Sequence, residues 1–150
     1  APPEALAPLL LQVIQSARPV LVVDIGCGTG LSTRYWSDKA ERVIGIDPTE
    51  AMRNQAELIG GGNITYRAGL SNATGLPDGC ADIVTCAQSL HWMEPQSTFC
   101  EARRVLRSGG AFAACDYDWP PMTTSPEVDA VYSECMRLAH ELEESHGGAA

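Results

Sequence analysis

The sequence predicts an α/β fold built on a doubly wound parallel sheet. Apolar segments of strand length alternate with helix-like segments along the chain, which is the pattern that a parallel sheet requires. The first clear strand, residues 20–25, leads straight into a loop with glycine at every second position. The second, residues 42–46, ends immediately before Asp47. These observations predict a ligand cavity where the carboxyl ends of neighbouring strands meet.

Each element is predicted from its own local pattern. Helices are expected over residues 5–17, 31–39, 49–59, 98–106 and 126–144. Strands are expected over residues 20–25, 42–46, 64–67, 81–86 and 111–115. Residues 60–63 break the third helix, and Ser108, Gly109 and Gly110 close the fourth. Because crossovers between parallel strands are right-handed, the predicted strand order is 3-2-1-4-5, with the glycine loop at the switch point.

The loop after the first strand reads Asp-Ile-Gly-Cys-Gly-Thr-Gly. Its glycines let the backbone turn tightly and let a ligand lie against bare main chain. A dinucleotide fingerprint needs glycine at position 31, where the chain has Leu31, and no lysine of a P-loop is present. The missing glycine disfavours an NAD-type oxidoreductase, and the missing lysine excludes a P-loop. The carboxylate of Asp24, expected at the cavity wall, suits a cationic ligand better than a pyrophosphate. The candidate cofactor-binding residues of the loop are Asp24, Gly26, Cys27, Gly28, Thr29 and Gly30.

A second acid, Asp47, follows the second strand and lies 23 residues after Asp24. In an α/β sheet the second strand lies beside the first, so this carboxylate reaches the rim of the same cavity, where it can accept both hydroxyls of a ribose. Asp47 can also be a helix N-cap, with Pro48 at the first helical position. The two roles are compatible.

Motifs over roughly residues 15–120 resemble those of the class I S-adenosylmethionine (SAM) dependent methyltransferases. The Asp-x-Gly-x-Gly-x-Gly loop resembles their motif I. Residues 75–85 are similar to the fourth-strand motif, with Ala81 in the place of the usual aromatic residue, and residues 104–112 are similar to the segment leading into strand five. The Ser-Leu-His-Trp-Met segment at residues 89–93 resembles a His-Trp subgroup of type 11 methyltransferases, near the trans-aconitate and ubiquinone-biosynthesis types.

The resemblance implies a Rossmann-like fold that binds SAM and releases S-adenosylhomocysteine (SAH). It makes Asp47 the ribose-binding acid and adds Pro48, Met52 and Gln88 as cofactor contacts. Many relatives place an Asp after strand three to accept the adenine amino group, but this chain has no acid there. Ser71, Asn72 or backbone groups are the alternatives for reading adenine.

Catalysis requires mainly that the acceptor atom be held in line with the activated methyl group. A base helps when the acceptor is a hydroxyl, and His91 is the candidate; the alternative is that His91 and Trp92 pack as a lid over the cofactor. Asp116 is expected to orient the substrate or to cap the next turn. Tyr117, Asp118 and Trp119 are further candidates at the end of strand five. Cys27 has no identifiable partner base, which argues against covalent catalysis.

Composition limits the partners. The net charge of -9 and the lack of a basic stripe disfavour nucleic acid, and no apolar segment approaches a membrane span. Six cysteines without a C-x-x-C pair predict a reduced, cytoplasmic protein with no structural metal. A chain of 150 residues with 45% hydrophobic content is expected to form a single SAM-binding domain over residues 1–150.

The chain is short at its C-terminus compared with the family that it resembles. Family sheets have seven strands, whereas nothing after Asp118 has a strand pattern. If the last two strands are missing, strand five is expected to be an exposed edge, which favours a homodimer or instability. The predicted function is methyl transfer from SAM to a small-molecule acceptor. The alternative is a SAM-binding module without catalytic turnover.

Overall fold

The computed structural model describes residues 2–116 and 125–145. The chain divides into two compact units, one ending at Asp116 and one beginning at Tyr117. The candidate residues Tyr117, Asp118 and Trp119 lie outside the described residues. The expectation of a single domain over residues 1–150 stays a prediction.

The first unit is a five-stranded sheet with helices between its strands. Its strands are β1 (Leu21–Ile25), β2 (Arg42–Ile46), β3 (Ile64–Arg67), β4 (Ala81–Ala87) and β5 (Leu106–Cys115). Its α-helices are α1 (Leu6–Val13), α2 (Leu31–Tyr35), α3 (Glu50–Ile59) and α4 (Pro95–Val105), and a short 3₁₀ turn spans Leu90–Trp92. The described part of the second unit is one helix, α5 (Pro126–Ser145).

All strand pairs are parallel, and the order is β3-β2-β1-β4-β5. The predicted fold class and strand order are confirmed. Every residue of the central strand β1 is buried, as expected of a parallel strand covered on both faces. Trp36, which directly follows α2, is fully buried in the layer that also contains α1.

Helices α1 and α2 each end four residues earlier than predicted, and the starts of α4 and β5 also differ from the predicted ones. Helix α4 begins at Pro95 rather than at residue 98, because the Glu94 carboxylate accepts hydrogen bonds from the first free N–H groups of the helix. Strand β5 begins at Leu106 rather than at residue 111, so Gly109 and Gly110 lie inside the strand and do not close the helix.

The two glycines build an irregularity in the β4–β5 pairing. The register of the ladder shifts between Ala81 and Ile83, and Gly109 has a φ of 76°. A side chain on Gly110 would place its Cβ 2.9 Å from the Asp82 carbonyl oxygen. The prediction that these residues form a helix-ending turn was wrong because they form a bulge in β5.

Asp82 connects three strands at the amino-terminal edge of the sheet. Its carboxylate accepts hydrogen bonds from the N–H groups of Val20 and Leu21, at 2.7 and 2.8 Å, and forms an ion pair with Arg107. Burial alone would raise the pKa of this carboxyl, but these donors outweigh it and lower the pKa. The starts of β1, β4 and β5 are thereby held together.

None of the helices in the described ranges combines the length and the apolar character needed to cross a lipid bilayer.

Candidate functional site

A cavity of about 490 Å³ opens at the carboxyl ends of the strands. It lies where β1 and β4 part, since their paired residues end at Asp24 and Thr85. This is the switch point of a doubly wound sheet, where ligands bind in such folds. Predicted site residues that line the cavity are Gly26, Gly28, Asp47, Pro48, Met52, Ser71 and Gln88.

The glycine loop is held against the end of β2. The N–H groups of Gly26 and Cys27 donate to the carbonyl oxygen of Ile46 at 2.8 and 3.1 Å. The next N–H, that of Gly28, donates to one carboxylate oxygen of Asp47 at 2.9 Å. The other carboxylate oxygen accepts from the N–H of Thr49 at 2.8 Å. Each oxygen thus keeps a lone pair for a further donor.

Asp47 is not a helix N-cap. Helix α3 begins at Glu50, so Thr49 holds the N-cap position and Pro48 precedes the helix. The alternative that made Pro48 the first helical residue was therefore wrong. The Asp47 carboxylate instead stabilises the turn before the helix and faces the cavity, of which it is a lining residue.

Glycine is required at the three loop positions for different structural reasons. A Cβ on Gly26 would lie 2.6 Å from both the Ser89 Cβ and the Met93 Cε, and one on Gly30 would overlap the Tyr66 hydroxyl. A Cβ on Gly28 would meet no atom within 4 Å, although this residue lines the cavity. Protein atoms fill the space beside two of the glycines, whereas the space beside Gly28 is open. This open face fits a ligand lying directly against the backbone.

Asp24 lies under the loop rather than in the cavity wall. It is fully buried and accepts hydrogen bonds from Ser32, Thr33 and Thr85, at 2.6, 2.7 and 3.0 Å. Burial raises the pKa of this carboxyl, and the three hydroxyl donors oppose the effect. Asp24 therefore ties β1 to α2 and β4. Its direct contact with a ligand stays a prediction.

Cys27, Thr29 and Gly30 complete the loop without lining the cavity. The Cys27 side chain is buried in a small cluster with Ala56 and Tyr66, and burial raises the pKa of its thiol to about 12. A protonated, buried thiol is a poor nucleophile. The Thr29 carbonyl accepts a hydrogen bond from Arg34 at 2.9 Å. These residues shape the loop from behind.

The two candidates for contact with adenine are separated by the fold. Ser71 lines the cavity, and its hydroxyl accepts a hydrogen bond from Thr98 at 2.8 Å. Asn72 lines a different groove, together with Ser97 and Arg104. Of the two side chains, Ser71 is the one placed for a ligand in the cavity.

The segment after β4 forms the opposite wall. Gln88 has a φ of 55°, which is rare for a residue with a side chain, and its N–H donates to the Cys115 carbonyl at 2.8 Å. This conformation turns the chain from β4 towards the cavity mouth. Trp92 lies at that mouth with 85% of its surface exposed.

The structure brings the two predicted catalytic residues together. Nδ1 of His91 lies 2.8 Å from Oδ2 of Asp116, and each side chain is about half exposed (48% and 52%). They come from the segments that follow β4 and β5. In the neutral tautomer that donates Nδ1–H to Asp116, Nε2 is left as a proton acceptor. Neither lines the cavity, but the His91 ring lies 5.1 Å from that of Trp92, which does.

Sequence reasoning missed several lining residues. They are Ile25, Thr49, Gly69, Leu70, Ser89 and Met93. Ser89 and Met93 flank the His-Trp pair, so their place in that segment was a usable signal. Ile25 ends β1, so its position was also a usable signal. The remaining lining residues, Thr49, Gly69 and Leu70, lie in loops and gave no such signal.

Comparisons with known proteins agree with this geometry. Residues 23–114 match a family model described as a methyltransferase domain, Methyltransf_11. A proposed S-adenosylmethionine-dependent methyltransferase of Saccharomyces cerevisiae is 34% identical over 117 residues, which cover 74% of this chain and 40% of the yeast protein. The chain thus spans less than half the length of this relative.

Solved structures share the fold. A proposed type II methyltransferase from Anaeromyxobacter dehalogenans is 35% identical with a TM-score of 0.77, over 95% of this chain and 57% of that one. A SAM-dependent methyltransferase from Aquifex aeolicus is 25% identical with a TM-score of 0.65, over 80% of this chain and 68% of that one.

These matches confirm the family resemblance and, with it, SAM as the cofactor that the family implies. The chain belongs to the methyltransferase-domain family of S-adenosylmethionine-dependent methyltransferases.

Proposed function

We propose that this chain transfers the sulfonium methyl group of SAM to a small-molecule acceptor by in-line displacement. The observation that carries the proposal is the open face of Gly28 beside the Asp47 carboxylate, inside the cavity at the switch point. Backbone that a ligand can approach and a carboxylate that can accept hydrogen bonds from ribose hydroxyls are what an adenosyl group requires.

Particular residues fit particular parts of the cofactor. Asp47 would accept the two ribose hydroxyls, because each of its oxygens already holds only one backbone donor. Ser71 would hydrogen-bond the adenine edge, while Pro48 and Met52 would contact its faces. Gln88 would meet the cofactor from the opposite wall. When bound, the cofactor supplies a methyl group already activated by its sulfonium charge.

The protein's own contribution is orientation and, for a hydroxyl acceptor, a base. Holding the acceptor in line can supply roughly 7–11 kcal/mol of the barrier reduction in favourable cases. His91 would accept the acceptor's proton at Nε2, and Asp116 would hold the ring through Nδ1. A carboxylate acceptor is already anionic and would need orientation alone.

Calorimetric titration with SAH tests the cofactor assignment. We expect micromolar binding by the unmodified chain and at least roughly tenfold weaker binding by Asp47→Ala, since two charge-assisted hydrogen bonds are lost. Asp38→Ala is a matched control, because Asp38 is an exposed acid that pairs with its sequence neighbour Lys39. Equal SAH affinity in Asp47→Ala and the unmodified chain, or tighter binding of NAD than of SAH, would contradict the assignment.

Turnover separates the main proposal from a SAM-binding module without catalysis. Incubation with methyl-labelled SAM and a panel of phenols, alcohols, amines and carboxylic acids should label at least one acceptor. If His91→Asn loses the labelling but still binds SAH, the result would support the role of His91 as the base. Tight SAH binding with no labelled acceptor in any class would favour the module.

Three further proposals concern the class of acceptor, the oligomeric state and the cellular compartment. The net charge of -9 supports a small molecule rather than a nucleic acid as the acceptor. Within the described residues β5 pairs with β4 alone, which supports a homodimer through the other edge. A concentration series by analytical ultracentrifugation tests it, and a monomer throughout would contradict it. All six cysteines are free thiols, which supports the cytoplasm as the compartment.

A further inference from the structure

The gap between β1 and β4 is bridged by one side chain. Paired residues of the two strands end at Asp24 and Thr85, so no strand residue of β4 pairs with Ile25. The Ser89 hydroxyl donates instead to the Ile25 carbonyl oxygen at 2.9 Å. Ser89 is 6% exposed, and its hydrogen bond is therefore shielded from water. It replaces a ladder hydrogen bond at the point where the strands diverge.

Ser89 also begins the turn that carries His91. Its carbonyl oxygen accepts the N–H of Trp92 at 3.0 Å, which closes the 3₁₀ turn Leu90–Trp92. Its Cβ packs beside Gly26 together with the Cε of Met93, so that a side chain at position 26 would have no room. The same residue thus contacts the end of β1, the glycine loop and the turn.

We propose that Ser89 is a positioning residue that fastens the turn carrying His91 to the end of β1. The inference rests on the proposed function, in which His91 is the base and the glycine loop holds the cofactor. By joining these two parts, Ser89 sets the distance between the base and the cofactor. Asp116 holds the His91 ring from the β5 side, and Ser89 holds its backbone from the β1 side.

The test is ¹⁵N NMR of the His91 imidazole in Ser89→Ala, with the signal assigned through His91→Gln. In the unmodified chain we expect the shifts of the tautomer protonated at Nδ1, because Asp116 accepts that proton. In Ser89→Ala these shifts should move towards a mixture of tautomers, and the SAH dissociation constant should rise about tenfold. Ser37→Ala is the matched control, since that hydroxyl also donates to a carbonyl, that of Arg34, at 2.8 Å.

A folded Ser89→Ala chain with the unmodified His91 spectrum and SAH affinity would overturn the inference. If Ser89→Ala does not fold, Ser89→Cys keeps the size of the side chain and weakens the donor, and the same two readouts decide. The NMR readout needs no cofactor. Failure of the unmodified chain to bind SAH would therefore count against the proposed function, while the His91 spectrum would still test Ser89.

Discussion

The backbone N–H of Gly28 donates to the carboxylate of Asp47 at 2.9 Å. This contact joins the loop after β1 to the end of β2, so the two strongest sequence motifs meet in a single hydrogen bond. A ligand that lies on Gly28 therefore also lies within reach of the carboxylate. The loop and the acid act as one binding element, and changes to either should alter the other.

Alanine substitutions should separate the roles of the loop glycines. Gly26→Ala and Gly30→Ala should lower the free energy of unfolding by about 2–4 kcal/mol, because each adds backbone strain to a steric clash. Gly28→Ala should cost only about 1–2 kcal/mol, the strain of its positive φ, yet weaken SAH binding through the lost open face. Urea unfolding and SAH calorimetry measure the two effects. Equal stability losses at all three positions would contradict this assignment.

Replacing Gln88 by glycine should stabilise the fold while weakening the site. Its φ of 55° costs a residue with a side chain roughly 1 kcal/mol, which glycine avoids. We expect a gain of ~0.5–1 kcal/mol in the free energy of unfolding and weaker SAH binding, since the side chain lines the cavity. Gln15→Gly is a matched control: it has a φ of 52° away from the cavity and should give the gain alone. A loss of stability in both variants would refute the strain argument.

Asp24→Asn should change how stability depends on pH. Because burial raises the pKa of Asp24 in the fold, the folded chain holds the proton more tightly than the unfolded chain does. The ordinary pKa of this carboxyl is 3.8. The free energy of unfolding of the unmodified chain should therefore fall as the pH rises from 3.8 through the raised pKa of the folded state. The Asp24→Asn variant should not show this fall in stability, because its amide does not titrate. Denaturant unfolding at a series of pH values checks it, with the exposed Asp38→Asn as control; parallel curves for Asp24→Asn and the unmodified chain would contradict it.

Glu101 should show the opposite dependence. Hydrogen bonds from Arg104, and then from Thr74, lower its pKa from 4.5 to about 2. The ionised carboxylate therefore stabilises the fold above pH 4.5, by about 2–3 kcal/mol, and this contribution is lost as the pH falls towards 2. Glu101→Gln should be less stable at pH 7 and should converge with the unmodified chain in acid. A constant difference across the whole range would be evidence against the ion pair as its cause.

The strand order could be predicted from the sequence because few right-handed connections fit five alternating strands. The start of β5 could not, since a glycine pair that typically ends a helix also builds a bulge. Which of the two uses occurs depends on the close approach of Gly110 to the Asp82 carbonyl, a contact between segments far apart in the chain.

The candidate site was predictable where residues follow strands and less so where loop side chains choose a direction. His91 and Asp116 were selected because they follow neighbouring strands, and they lie in contact. Asp24 was expected at the cavity wall, but the hydroxyls of Ser32, Thr33 and Thr85 draw its carboxylate inward. Ser71 and Asn72 are adjacent in sequence yet line different concavities. Tertiary packing decided each of these directions.

The polar connections of Asp82 lie at the opposite edge of the sheet from the cavity. One set of contacts that stabilises the sheet is therefore far from the ligand cavity. Substitutions that strengthen the amino-terminal edge, for example around Arg107, can add tolerance to heat or denaturant without reshaping the ligand cavity. The added stability would offset the destabilising effect of substitutions in the cavity walls that are made to fit a new methyl acceptor.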